Sequence, residues 1–322
     1  MSRRAGGSRA ILTQSRYHPF RRTCAISLPI LTNAAATGHV PAAPFLRFST
    51  LWIQITGTWC NLECTHCINA SGPRDPWLKP LPTERALAAI REAEELGVKE
   101  IYLTGGEPFL HRDLLIVLES ALSAAPTTVL TNGTRIDAAM ADALVALARR
   151  ARYSLEIRVS VDDTDPAKND RIRGAGAFDK ALGAIRSLHE RGLLPIVTAT
   201  EITSAEHPHG RRTYERFRDF LLTQGVEKPR VKIMPVFALG RLARAGDPVL
   251  TEEDLAGFDR GTLQCAEARV VADGGVYACP ILAGLPQARL SDGDLEASFR
   301  DMPLYHPSCV TCYRTGMTCK NG

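Results

Sequence analysis

No aspartate, glutamate or lysine occurs in the first 62 residues of the 322-residue chain, where seven arginines supply all the formal charge. From Glu63 onward 32 basic residues face 35 acidic ones, a net of −3, so the sequence pI of about 8.6 belongs to an amino-terminal arm and not to the body. Charge so placed argues against a nucleic-acid partner, which needs a basic face on the folded part. No stretch approaches the roughly 18 to 20 continuous apolar residues of a bilayer span, so no membrane contact is expected. Cysteine is absent from residues 68 to 264, although the chain has nine: one in the arm, three at 60–67 and five at 265–319. A secreted disulfide scaffold would spread its cysteines through a small domain with a poor core. Here 45% of residues are hydrophobic, enough for a sizeable core, and two cysteine patches flank a long stretch without any. That favours metal sites in a reducing compartment, the cytoplasm.

Residues 1–48 are rich in Arg, Ser, Ala and Pro, have no sustained helical or strand period, and are expected to be poorly ordered. Their lack of acids fits an organelle transit peptide, without the amphipathic helix of one; an overextended gene start accounts for it equally.

Between residues 51 and 236, β-branched or apolar runs alternate with segments of helical period. Strands are expected at 51–56, 100–104, 127–131, 154–161, 195–202 and 231–236. The helices between them carry core stripes such as Ala86, Ile90, Ala93, Leu96; Leu144, Leu147, Ala151; Leu182, Ile185, Leu188; and Tyr214, Phe217, Leu221. Gly97, Gly192 and Gly225 stand where helices should stop. Six strand-helix repeats imply an α/β fold with a parallel sheet and right-handed crossovers, doubly wound or curled into a partial barrel over residues 49–236. Residues 237–262 read as a linker with a short helix near 251–258. Residues 263–322 form a small Cys-rich region whose clearest element is a hairpin, 268–272 with 276–278. So small a region has a poor core, and a metal cluster would staple it.

The first strand runs into Gly57-Thr-Trp-Cys60-Asn-Leu-Glu-Cys64-Thr-His66-Cys67. Three thiols in one loop can wrap three irons of a cubic cluster and leave the fourth iron open; a zinc site completed by His66 or a distant residue is the alternative. The second strand ends in Gly105-Gly106-Glu107-Pro108, where glycines permit close backbone approach and Glu107 offers an acceptor for an ammonium group, though an ordinary turn would look the same. Thr131 and Asn132 end the third strand. Ser160 and Asp162 share a face of the fourth by their period of two, or simply cap it. These segments stand at the carboxyl ends of four successive strands, where parallel α/β folds place ligands.

The C-x3-C-x2-C loop after the first strand resembles the radical S-adenosylmethionine superfamily over residues 50–236, whose members share a partial (β/α)6 TIM-like barrel. The resemblance implies that Cys60, Cys64 and Cys67 hold a 4Fe-4S cluster that reductively cleaves S-adenosylmethionine to a 5′-deoxyadenosyl radical. It also implies that Gly105, Gly106 and Glu107 receive the methionine amino group, with Thr131, Asn132, Ser160, Asp162 and Arg171 completing the cofactor site. His66 stands where the family often has an aromatic residue beside adenine. Thr198, Thr200, Met234 and Val236 could line the adenine site, but core packing explains them better. His111 reads as the start of a helix, and His207 and His209 as loop residues.

Cys265 and Cys279 bracket the hairpin, and Cys309-x2-Cys312 and Cys319 follow. This resembles the twitch or SPASM extensions that carry auxiliary clusters in part of the superfamily; five cysteines suit one 4Fe-4S cluster, with Cys265, Cys279, Cys309 and Cys312 first and Cys319 as a substitute, and a zinc knuckle as the alternative. Enzymes of that kind imply modification of a peptide or protein side chain, with an electron donor such as flavodoxin or ferredoxin. A radical dehydrogenase or epimerase of a small molecule such as a sugar or aminocyclitol is the second reading, and a non-enzymatic iron-sulfur or zinc protein the third.

Overall fold

The structure is a computed structural model, and its described residues are 40–74, 76–201 and 210–316. Strands among them are β1 (Ala42–Ala43), β2 (Thr50–Gln54), β3 (Glu100–Thr104), β4 (Thr127–Thr131), β5 (Leu155–Ser160) and β6 (Ile196–Glu201), followed by β7 (Arg230–Pro235), β8 (Ala268–Ala272), β9 (Gly275–Tyr277), β10 (Arg289–Ser291) and β11 (Met302–Pro303). Helices are α1 (Thr83–Glu95), α2 (Leu114–Ala124), α3 (Ala138–Arg150), α4 (Pro166–Arg173), α5 (Ala177–Glu190), α6 (Gly210–Thr223) and α7 (Pro307–Thr315).

Strands β2 to β7 pair in sequence order, all parallel, with helices in the crossovers, as the six-fold repeat of the sequence requires. The period of two then divides each strand. Leu51, Ile53, Ile101, Leu103, Val129, Ile157, Val159, Val197 and Ala199 face the helices and join the larger core. Ala86, Ile90, Ala93, Leu144, Leu147, Leu182, Ile185, Leu188, Phe217 and Leu221 meet them from the helix side. Each fully buried Leu, Ile, Val or Phe contributes roughly 1.5–3 kcal/mol. Tyr214 departs from its expected stripe and is 39% exposed. Gly97, Gly192 and Gly225 follow α1, α5 and α6 at positive φ of 77°, 87° and 81°.

The Cys-rich region is joined to the barrel sheet instead of standing apart. β8 pairs in parallel with β2, with Thr50 opposite Ala268, and β9 and β10 continue antiparallel beyond it, giving a nine-stranded sheet in the order β10-β9-β8-β2-β3-β4-β5-β6-β7. Residues 40–48 correct the expectation of a disordered arm. β1 pairs with β11, the Phe45 ring stacks on Phe299 at 4.6 Å, and Leu46 N–H donates to Ala266 C=O at 2.9 Å. The rest of the arm, with Cys24, lies outside the described residues, as do His207, His209 and Cys319.

The stretch 237–262 is likewise no free linker, because Phe237, Leu239, Leu250 and Leu255 are buried in a second core with Trp52, Tyr102 and Val270. The helix expected near 251–258 is absent there. Turns stand in its place: the Asp254 carboxylate accepts from both N–H and hydroxyl of Thr251, and Gly257 at φ 76° breaks the helical path.

Candidate active site

Beyond β2 the chain turns at Gly57, whose φ of 54° and close approach to the Leu78 carbonyl (2.1 Å from an added Cβ) exclude a side chain. Thr58 and Cys60 then bond across to Leu78 and Gly72, closing residues 58–78 into a cysteine loop over the sheet. Cys60, Cys64 and Cys67 line one cavity of about 260 Å³. The Cys60 Sγ accepts from Leu62 N–H at 3.4 Å and lies 3.7 Å from Asn132 Nδ2, and Cys67 Sγ accepts from Ser71 N–H at 3.3 Å. Burial, offset in part by the Leu62 N–H, pushes the Cys60 thiol up to about 12, and burial likewise raises Cys64 against the pull of Arg173. Thiolates here therefore need a cationic ligand to form.

Gly106 seats β3 against that loop. A Cβ on it would fall 2.1 Å from the Trp59 carbonyl and 2.9 Å from Cys60 Cβ, so only glycine lets the two strand ends meet. The next residue, Glu107, is fully buried: Oε1 accepts from Thr131 Oγ1 (2.6 Å) and Phe109 N–H (3.1 Å), Oε2 from Asn132 N–H (2.7 Å). Burial raises its pKa against those hydrogen bonds. Its carboxylate does not reach the cavity wall, whereas Gly105, Gly106, Thr131 and Asn132 do.

Ser160 and His66 line the same cavity, but Asp162 lies behind it. Oδ2 of Asp162 is 2.7 Å from both His66 Nε2 and Arg173 Nε, and Oδ1 accepts from Thr200 N–H at 2.9 Å. Burial would raise this carboxyl, but the Arg173 charge and the His66 contact prevail and hold it well below the usual range. Asp162 thus ties the cysteine loop, α4 and β6 together. Arg171 does not take the expected position. Two residues apart on α4, Arg171 and Arg173 point to roughly opposite sides; Arg171 is exposed, and Arg173 is buried on the cavity. Thr198, Thr200, Met234 and Val236 correct another expectation, since all four line the cavity.

Sequence reasoning missed Arg241. Its guanidinium donates to the carbonyls of Cys64 (2.8 Å) and Ser71 (2.6 Å), and its own N–H to that of Cys67 (3.1 Å), clamping the cysteine loop from the supposed linker. The preceding Gly240 at φ 59° was the available signal.

Beside the β8–β9 hairpin, Cys265, Cys279, Cys309 and Cys312 line a second, smaller cavity with almost entirely apolar walls. α7 places Cys309 and Cys312 one turn apart on one face. Burial pushes Cys265 up to about 12 and raises Cys279 and Cys309. Among the described residues no three His, Cys, Asp or Glu side chains converge closely enough to hold a single metal ion.

Residues 55–204 match the family model described as the radical SAM superfamily. Over that stretch, under half of the chain, it is similar to the radical SAM superfamily, and the chain is an enzyme. This enzyme is similar to the mycofactocin maturase MftC of Mycolicibacterium smegmatis, 27% identical over 301 residues that cover 79% of this chain and 72% of that one. Its fold is that of Streptococcus suis SuiB, crystallised with the precursor peptide SuiA: TM-score 0.58 at 16% identity, covering 83% of this chain and 66% of that one. It also matches the structure of anSMEcpe with bound AdoMet and a Cp18Cys peptide, TM-score 0.57 at 17% identity, covering 78% and 79%. At those identities the structural likeness is one of fold.

The superfamily implies S-adenosylmethionine and a 4Fe-4S cluster. Three thiols around one cavity, Cys60 buried and Cys64 and Cys67 half-buried, two of them receiving N–H bonds, fit a cluster in which three irons each take a different sulfur.

Proposed function

We propose that Cys60, Cys64 and Cys67 hold this enzyme's 4Fe-4S cluster and that it modifies a peptide or protein side chain by hydrogen abstraction. When bound and reduced, the cluster would supply one electron to the sulfonium of S-adenosylmethionine, and cleavage of the bond from sulfur to the 5′ carbon would give methionine and a 5′-deoxyadenosyl radical able to take hydrogen from substrate. The observation that carries the reading is the meeting of the three thiols with Gly105, Gly106, Thr131, Asn132 and Ser160 on one cavity at the strand ends. Thiols spread around a cavity suit a cube better than one zinc ion, whose ligands must converge on a point.

In this reading Gly105 and Gly106 admit the methionine moiety to the backbone beside Glu107, whose buried charge gains from a nearby ammonium. Arg173 takes the carboxylate role foreseen for Arg171. Asp162 acts through His66 and Arg173, holding both in place. Cys265, Cys279, Cys309 and Cys312 would hold one auxiliary 4Fe-4S cluster, a reading supported by their shared apolar cavity, which would supply an electron acceptor for a dehydrogenation or bond-forming step. SuiB with its SuiA peptide and anSMEcpe with its peptide point toward peptide substrates. A flavodoxin or ferredoxin would serve as electron donor, and the cytoplasm as compartment; no described helix is long and apolar enough to cross a membrane.

The test is anaerobic reconstitution with iron and sulfide, then dithionite and S-adenosylmethionine. Formation of 5′-deoxyadenosine, lost in Cys60→Ala, Cys64→Ala and Cys67→Ala, is expected. Its absence from protein with verified and reduced cluster would overturn the reading.

A further inference from the structure

We propose that Arg269, aided by the hydroxyls of Tyr305 and Ser308, is the counter-charge of the four-cysteine cavity and raises the reduction potential of the cluster held there, on the reading of that cavity as the auxiliary-cluster site.

Arg269 lies on β8, four residues after Cys265, and its side chain is fully buried. The guanidinium directs its N–H groups at neutral carbonyls: Nη1 donates to Cys265 (2.8 Å) and Ala268 (2.7 Å), Nε to Ser298 (3.0 Å) and Nη2 to Arg300 (2.8 Å). The Phe45 ring covers it, 4.0 Å from the guanidinium carbon. These contacts fix its position and cancel none of its charge. Among the described residues no carboxylate is ion-paired with it, and the longer-range effects of Arg300 and Asp301 oppose each other. Burial lowers its pKa to about 10, against the pull of Cys265 and Cys279, so it stays charged at neutral pH.

A buried cation is costly unless negative charge stands nearby. The sulfurs of Cys265 and Cys279 can supply it, since Arg269 acts to favour the thiolate of both. Two donors are also unsatisfied: Tyr305 Oη and Ser308 Oγ are buried without a hydrogen-bond partner. Ser308 lines the cavity, and Tyr305 stands near enough to Cys279 and Cys309 for their charge to add to the effect of burial in raising its pKa. Either hydroxyl can donate to sulfur. Cys309 itself is the third residue of α7, at the positive end of that helix.

A 4Fe-4S cluster on four thiolates is an anion, and reduction adds one more negative charge. Apolar walls alone oppose that addition. A fixed cation and two hydroxyl donors favour it, because net charge and hydrogen bonds to the sulfurs set the potential of such clusters. Arg269, Tyr305 and Ser308 thus suit the cavity to receive an electron.

The potential is measured by redox titration of the anaerobically reconstituted full chain carrying C60A, C64A and C67A, so that only the second cavity holds iron, followed by low-temperature electron paramagnetic resonance. R269Q should leave the cluster at least about tenfold less reduced at a given potential, a fall of about 59 mV or more for one electron. R269K, which keeps the charge, should stay within about threefold of the parent. Y305F and S308A each remove one hydroxyl and should lower the reduced fraction about three- to fivefold, keeping the test readable if R269Q does not fold. A merely structural Arg269 would change stability or iron content and leave the potential in place. A potential unmoved or raised by R269Q, a fall as large in R269K as in R269Q, or, where R269Q does not fold, a potential unmoved by both Y305F and S308A overturns the proposal while the auxiliary-cluster reading stands. No iron-sulfur signal, zinc in place of iron, or a signal that survives the further change C309A overturns both.

Discussion

Replacing Asp162 by Asn removes one negative charge from the most constrained polar cluster of the enzyme while leaving its shape almost unchanged. Arg173 Nε and His66 Nε2 both lie 2.7 Å from the same carboxylate oxygen, and the Thr200 N–H lies 2.9 Å from the other. Asn still accepts from Thr200, but Arg173, its side chain 9% exposed, loses its counter-charge. Breaking a buried pair by removing one partner costs about 3–5 kcal/mol. The retained hydrogen bond places D162N at the lower end. With a urea slope of about 3 kcal/mol per molar, the midpoint falls by about 1 M. Equilibrium urea unfolding of the reconstituted protein, followed by far-ultraviolet circular dichroism, measures it. The pH dependence gives a second check. The folded carboxyl lies below its unfolded value of about 3.9, so the pair's contribution is complete above that pH and is lost as pH falls through the depressed folded value. The gap between wild type and D162N therefore narrows on acidification below about pH 4. An unchanged midpoint, or a gap that does not narrow, refutes the reasoning.

Three further outcomes are expected. G106A, whose new methyl would fall 2.1 Å from the Trp59 carbonyl, should displace the cysteine loop and lower iron content after reconstitution, read by metal analysis. E107Q should weaken S-adenosylmethionine binding about tenfold or more with cluster content unchanged, as expected for loss of a buried negative charge behind the methionine ammonium; equilibrium dialysis reads it. C309A should spare some 5′-deoxyadenosine formation while preventing formation of modified product, read by mass spectrometry, because it removes a thiol from the second cavity only.

Much of the barrel was legible because each signal is local. Apolar runs at period two mark β2 to β7, helical stripes mark the crossovers, and glycines mark the helix stops. The cysteine triplet and Gly105-Gly106 were legible because each lies within a few residues of one strand end. What escaped depends on contacts distant in sequence. Nothing near Ala268 tells that it pairs in parallel with Thr50, and nothing near Ala42 tells that Met302 and Pro303 lie alongside. Arg241 reaches the cysteine loop across 170 residues of chain from Ser71. That Arg173 and not Arg171 faces the cavity depends on the helical phase of α4, a short helix whose start at Asp165 and Pro166 fixes which arginine turns inward. Thr198 and Thr200 looked like core residues because a barrel interior and a cavity wall share one strand face.

The central claim is that three thiols hold a cluster with one iron open to S-adenosylmethionine, and low-temperature electron paramagnetic resonance of the dithionite-reduced protein tests it most directly. The account predicts a reduced-cluster signal that changes when S-adenosylmethionine is added and a change that disappears in Cys64→Ala. A protein that binds zinc instead of iron at these thiols, or a cluster signal indifferent to S-adenosylmethionine, would contradict it.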